Sequence, residues 1–128
     1  MLFFDRSIGK AVPLALRQVG VGVEIHDELY PQRLVPDEEW IGDATARGSV
    51  LVPRDRRIRQ RPAERKVVAS AGARMFVLRG KGSTRLDMLR VVMIAWERMQ
   101  TTIETEEAPA WIYEIDAGGR LKRVYPSP

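Results

Sequence analysis

Short runs of β-branched and aromatic residues, each followed by a stretch long enough for a helix, constrain this chain more than any other feature. Leu2-Phe3-Phe4, Val21 to Ile25, Ser49-Val50-Leu51-Val52 and Arg74-Met75-Phe76-Val77-Leu78 read as strands. Between the first two, Ile8, Val12, Leu16 and Val19 recur at spacing four before Gly20 and Gly22, which predicts a helix. Pro13 fits only the first turn of that helix, so it begins near residue 10 or later. The stretch from His26 to Pro36 has no periodicity and gives way to Asp37-Glu38-Glu39-Trp40-Ile41, a helix start whose Trp40, Ile41 and Ala44 face the core. Pro62 opens another helix through about Ser70. Ser83 or Thr84 caps a long one whose Leu86, Leu89, Met93 and Trp96 follow three-four spacing and are expected inside. After Pro109 the pattern becomes alternation, with Trp111–Ile115 and Leu121–Tyr125 flanking Gly118-Gly119, as in a hairpin.

Strands alternating with helices require crossovers, which are expected to be right-handed and to build a mainly parallel sheet with helices on both faces. The expectation is an α/β fold, a three-layer α/β/α domain over residues 1–128 with a C-terminal β-hairpin extension at about 110–125. At 128 residues and 45% hydrophobic content the chain suits one such domain. No apolar run approaches the roughly 20 residues that cross a bilayer, and Met1-Leu2-Phe3-Phe4 meets Asp5 too early for a signal peptide. A cytoplasmic protein with no membrane partner is therefore expected. With no cysteine and one histidine, thiolate and multi-histidine metal sites are excluded along with Ser-His catalysis, so any metal must be held by oxygen.

Charge is unevenly spread. Residues 1–48 carry 5 Lys and Arg against 8 Asp and Glu, residues 49–98 carry 13 against 4, and residues 99–128 carry 3 against 5. A basic middle between acidic ends suits a protein that meets polyanions. The acids follow the strands: Asp5 ends the first and Asp55 lies just past the third, so a parallel sheet puts both on its carboxyl edge. Asp37, Glu38 and Glu39 begin the helix reached from the second strand, on that same edge. Clustered carboxylates call for a hard cation, Mg²⁺ or Mn²⁺, which takes oxygen ligands and can activate water beside a phosphodiester without histidine. The same acids also suit plainer work, Asp37 to Glu39 at a helix N-terminus, Asp5 as a cap and Asp55 in a surface ion pair.

Phe3-Phe4-Asp5-Arg6-Ser7-Ile8-Gly9, Pro36-Asp37-Glu38-Glu39-Trp40-Ile41 and Val50-Leu51-Val52-Pro53-Arg54-Asp55-Arg56-Arg57-Ile58-Arg59 resemble, in order and spacing, the PIN-like domains of VapC-type toxins, from about Met1 to Leu78. The resemblance implies a PIN-like fold and a Mg²⁺- or Mn²⁺-dependent ribonuclease, often the toxin of a toxin-antitoxin pair. It makes Asp5 the first metal-binding catalytic acid and Asp55 the acid after the third strand. The middle acid falls within Asp37-Glu38-Glu39, with Asp37 and Glu39 favoured and Glu38 open. RNA is the implied substrate and a cognate antitoxin the implied partner, and a homodimer is left open. The chain departs from the family pattern at Ser7, where Asn is frequent, and at Pro53, where Thr is frequent. No firm fourth acid follows, Asp87 being a weak candidate.

Arg6, Arg54, Arg56, Arg57, Arg59 and Arg61 can hold RNA phosphates by forked hydrogen bonds, or simply solvate a basic turn. Gly80-Lys81-Gly82-Ser83-Thr84 joins a strand to a helix but lacks P-loop order. His26, at the end of the second strand, can approach the acids or bond a carbonyl. Trp40 and Trp96 fit core positions, and Trp111 fits either core or interface.

Overall fold

A computed structural model of the chain describes residues 1–54, 62–79 and 84–127. In chain order the elements are β1 (Leu2–Phe4), a 3₁₀ turn (Arg6–Ile8), α1 (Ala11–Gln18), β2 (Val23–Ile25), α2 (His26–Leu29), α3 (Asp37–Ala46), β3 (Val50–Val52), α4 (Pro62–Ala71), β4 (Arg74–Leu78), α5 (Arg85–Thr105), β5 (Trp111–Ile115) and β6 (Leu121–Tyr125). The strands form one sheet in the order β2-β1-β3-β4-β5-β6, parallel except for the antiparallel β5-β6 hairpin. The expected α/β architecture with its terminal hairpin is the one observed. The short helix α2 is an addition, in a stretch whose prolines and lack of periodicity hide a single turn. Among the described residues no helix is long and apolar enough to cross a membrane.

Period-two alternation divides the core. Leu2, Phe4, Val50, Val52, Phe76, Leu78, Trp111 and Ile115 pack on one face against α1 and α5. Phe3, Leu51, Met75, Val77 and Ile112 pack on the other against α3 and α4. Register keeps the faces matched, with Phe4 between Ile25 and Val52, and Leu51 beside Met75. Trp111 is buried, its ring meeting Phe76 edge-on at 5.0 Å and Tyr113 at 5.3 Å, so it belongs to the core.

The crossovers do not all share one hand. The step from β1 to β2 carries α1 on the first face. The opposite steps, from β2 to β3 and from β3 to β4, carry α3 and α4 on the second, which gives three connections of one hand. The step from β4 to β5 runs in that second direction yet carries α5 on the first face, so its hand is reversed against the usual preference.

Helix α5 meets the expected inward stripe only in part, with Leu89 and Trp96 packed at the margin of the core. Its buried residues are Met88, Val91, Val92, Ala95 and Met99, while Leu86 and Met93 are 65% and 56% exposed and Leu89 and Trp96 only half-buried. The helix is apolar on two adjacent arcs, and the arc with valines and alanine lets the axis approach the sheet closely. Thr84 caps it as expected, in a capping box with Asp87. Bonds from Thr84 hold the Asp87 carboxyl below the usual range, and Arg90 sits 3.4 Å away, so this acid is occupied at the helix terminus.

Two tests follow from the hairpin. Gly119 has φ +79°, and a Cβ there would lie 2.6 Å from Ile94 Cγ2 on α5. Gly119→Ala should therefore destabilise the fold by about 1–3 kcal/mol, read from urea melts. Glu106, just past α5, accepts from the Tyr113 hydroxyl at 2.6 Å, the Ala108 amide at 3.2 Å and Arg123 at 3.2 Å. The Tyr113 bond, foremost among these, holds the Glu106 carboxyl below its ordinary 4.5, and burial pushes the Tyr113 phenol up to about 12. The stability contributed by ionised Glu106 is thus present above pH 4.5 and lost as pH falls through the lowered folded value. Glu106→Gln should cost about 1 kcal/mol at neutral pH and flatten the acid limb of the stability profile, measured by melts at several pH values.

Candidate active site

The helix after β1 packs on one face of the sheet and the helix after β3 on the other, so a crevice opens between the carboxyl ends of these neighbouring strands. Asp5 stands at its rim, the first residue after β1, with its N–H donating to the Val52 carbonyl at 3.2 Å. The side chain caps the 3₁₀ turn: Asp5 Oδ2 accepts from Ser7 N at 3.3 Å and from Ser7 Oγ at 2.6 Å. Ser7 Oγ in turn accepts from the Arg54 backbone N–H at 3.0 Å. One hydroxyl thereby ties the first acid to the exit of β3, and the next residue in the chain is Asp55.

Asp5 is 7% exposed. Among the described residues its carboxylate accepts from Ser7 alone, and no Lys, Arg or His pairs with it. A buried carboxylate without a cation is costly, and a hard divalent ion is the ligand its oxygen chemistry suits. The donor set available to Asp5 in this crevice therefore fits such an ion by type.

The other acids are engaged elsewhere. Asp37 opens α3, and its Oδ1 accepts from Trp40 Nε1 at 3.0 Å, while the Trp40 ring stacks on Phe3 at 5.4 Å. Glu39 forms a forked pair with Arg33, 2.8 Å at its shorter arm, and the Arg33 guanidinium lies 5.9 Å from the Tyr30 ring centre. Glu38 is exposed. Among the described residues no three His, Asp or Glu side chains lie together as a metal-holding group. Asp5, Asp37 and Glu39 thus do not form one by themselves. Asp55 lies outside the described residues, as do Arg56, Arg57, Arg59, Arg61 and the loop from Gly80 to Ser83.

Arg6 places Nε 3.4 Å from Asp27 Oδ1, and the same oxygen lies 3.1 Å from His26 Nδ1. His26 opens α2 and is 3% exposed, with Phe3 edge-on at 6.2 Å and Tyr30 at 5.2 Å. Its ring is therefore a packed core group bonded to a carboxylate rather than to a carbonyl. Asp27 is the acid that the strand-by-strand reading passed over. It lies two residues past β2, whose end is level with that of β1, one strand along the same sheet edge from Asp5. Glu114 was hidden too: it lies one residue before the end of β5, buried, with Arg79 at 3.2 Å. By period-two alternation it shares the face of Ile112.

A family model described as PIN like domain matches residues 1–80, which carry the first four strands and the whole of this crevice. Comparison with curated proteins and with solved structures finds no match. Since the matched segment exceeds half of the chain and contains Asp5 and the switch in strand order, the chain belongs to the PIN-like domain family, whose members are generally nucleases and usually use divalent metals.

Proposed function

We propose that this chain is a metal-dependent endoribonuclease, cytoplasmic, and the toxin of a toxin-antitoxin pair with a cognate antitoxin as its protein partner. The observation that carries the catalytic reading is the buried Asp5 carboxylate, without a cationic partner among the described residues, at the switch point of a PIN-like sheet. Asp5 and Asp55 are the proposed principal ligands of Mg²⁺ or Mn²⁺. Asp37 is proposed beside them through its free second oxygen, and Glu39 after release from Arg33. When bound, the ion offsets charge developing on the phosphodiester and acidifies water near neutral pH. The chain's own groups do the positioning. Ser7 fixes the orientation of Asp5, and the basic segment that begins at Arg54 holds phosphate oxygens, joined by Arg6 where it leaves Asp27.

A second reading, a non-catalytic RNA- or partner-binding PIN-like domain, is favoured by the engagement of Asp37 with Trp40 and of Glu39 with Arg33. Manganese separates the two. On the nuclease reading the purified chain takes up Mn²⁺ in calorimetry and cleaves a mixed RNA pool. Asp5→Asn abolishes both while keeping the metal-free melting temperature, because an amide still accepts from Ser7. Cleavage retained in full by Asp5→Asn would reject the proposed site, and absence of Mn²⁺ uptake at millimolar concentration would favour the binder.

Ser7 gives a graded test of the same site. Ser7→Ala should weaken Mn²⁺ binding and slow cleavage by roughly 10- to 100-fold, since it frees the Asp5 carboxylate to rotate. Ser7→Thr, which keeps the hydroxyl, should recover most of both. Equal Mn²⁺ affinity in Ser7→Ala and the parent chain would show that the hydroxyl does not position this ligand.

A further inference from the structure

Arg6 is the residue next in the chain to Asp5, yet it does not neutralise it. Its Nε lies 3.4 Å from Asp27 Oδ1 instead, beyond the end of the neighbouring strand β2. Adjacent strands are about 4.8 Å apart, and a side chain that spans this gap sideways is long enough to fold back over its own neighbour. Two carboxylates therefore compete for one guanidinium. We propose that Asp27 is a positioning residue: held by His26, it keeps the Arg6 guanidinium off Asp5 and so keeps that carboxylate open to a divalent cation. This rests on the nuclease reading of the Asp5 site and adds to it the group that guards the site while RNA is absent.

Burial makes Asp27 a fixed post. His26 is 3% exposed, and its ring is locked between Phe3, edge-on at 6.2 Å, and Tyr30 at 5.2 Å. An ionised carboxylate only accepts, so the His26 Nδ1 that lies 3.1 Å from Asp27 Oδ1 carries the proton of that bond. The core fixes the imidazole, the imidazole fixes Oδ1, and Oδ1 receives Arg6.

Solvation favours the observed pairing. The side chains of Arg6 and Asp27 are 44% and 32% exposed, so the guanidinium keeps much of its water while it pairs. Pairing with Asp5 would strip that water, and one oxygen there already accepts from Ser7. Glu28, the next acid of α2, is held in a fork by Arg17 at 2.8 and 3.0 Å. Once the charge of Asp27 is removed the balance reverses, because Asp5 is a carboxylate within reach that no cation pairs among the described residues. The clasp also lets go readily: an entering phosphate has only one exposed ion pair of little worth to displace before it takes Arg6.

Calorimetry with Mn²⁺ on the full chain without RNA, over the cycle of parent, two single variants and the double variant, tests the assignment. Asp27→Asn keeps an acceptor for His26 and removes the charge, and it should weaken Mn²⁺ binding roughly tenfold. Arg6→Gln should change Mn²⁺ affinity by less than about twofold in the parent, where Arg6 is already parked, yet restore it in the Asp27→Asn background. Mere loss of a nearby negative charge would make the two effects additive. Additive effects overturn the proposal, as does an Asp27→Asn chain that binds Mn²⁺ like the parent. The Arg6 Nε–H resonance of the metal-free chain gives a readout that needs no metal. Asp5→Asn should move it further in the Asp27→Asn background than in the parent, because Arg6 then bonds Asp5, and an equal response in both backgrounds overturns the proposal. A parent chain that takes up no Mn²⁺ counts against the nuclease reading instead, and the resonance still decides whether Asp27 holds Arg6 off Asp5.

Discussion

The hydroxyl of Ser7 serves two strands at once, donating to the Asp5 carboxylate and accepting from the Arg54 amide. β1 and β3 are only three residues each, too short for their ladder alone to fix where their exits point. Past Phe4 the Asp5 N–H donates to the Val52 carbonyl, and past Val52 the chain stays beside β4 as far as Arg54, which bridges Leu78. One small polar side chain, reachable because Asp5 caps a 3₁₀ turn, adds a side-chain tie between the two exits. It does so without neutralising the acid. A serine can orient a buried carboxylate, but it leaves the charge for something else to meet, which is the condition under which a cation is bound tightly.

Handedness is subordinate to coverage in this sheet. Only the step from β1 to β2 runs in the direction that places a right-handed crossover helix on the face of Phe4, Val52, Phe76 and Trp111. That helix, α1, is eight residues long, far too short to shield five strands. Had α5 followed the usual hand, it would have joined α3 and α4 on the face already covered and left the aromatic residues of β4 and β5 in water. At about 1.5–3 kcal/mol for each large side chain buried, the gain from covering that face outweighs the twist preference behind right-handed crossovers. The reversal also stations α5 beside α1 on the face away from α3 and α4, so its outer arc meets solvent.

What the sequence made legible follows from how local each signal is. Strand runs, the first-turn Pro13, the Thr84 cap and the Gly118-Gly119 turn are decided within a few residues, and all appear where the pattern put them. Asp5 was legible for the same reason: an acid immediately after a buried strand lands on the sheet edge whatever surrounds it. Asp27 lies two residues past its strand rather than immediately after it, in a segment that prolines downstream made look shapeless. The partners of Asp37 and Glu39 were not legible, because they depend on Trp40 turning its Nε1 toward the helix start and on Arg33 folding back over Tyr30. Neither is encoded in spacing. The hand of the last crossover was equally out of reach, since it is set by the area left bare by every other helix.

Helix α5 carries the largest consequence of this non-locality. Three-four spacing holds in two registers along it, and the sequence offers no reason to prefer Val91, Val92 and Ala95 over Leu86, Met93 and Trp96 for the inside. On hydrophobicity alone the larger set would be buried. Packing on a sheet of aromatic side chains decides otherwise. Phe76 and Trp111 fill the space above β4 and β5, and α5 packs Met88, Val91, Val92, Ala95 and Met99 into the same core, with Leu89, Trp96 and Ile103 half-buried against it. Leu86 and Met93 are left on the neighbouring arc, 65% and 56% exposed.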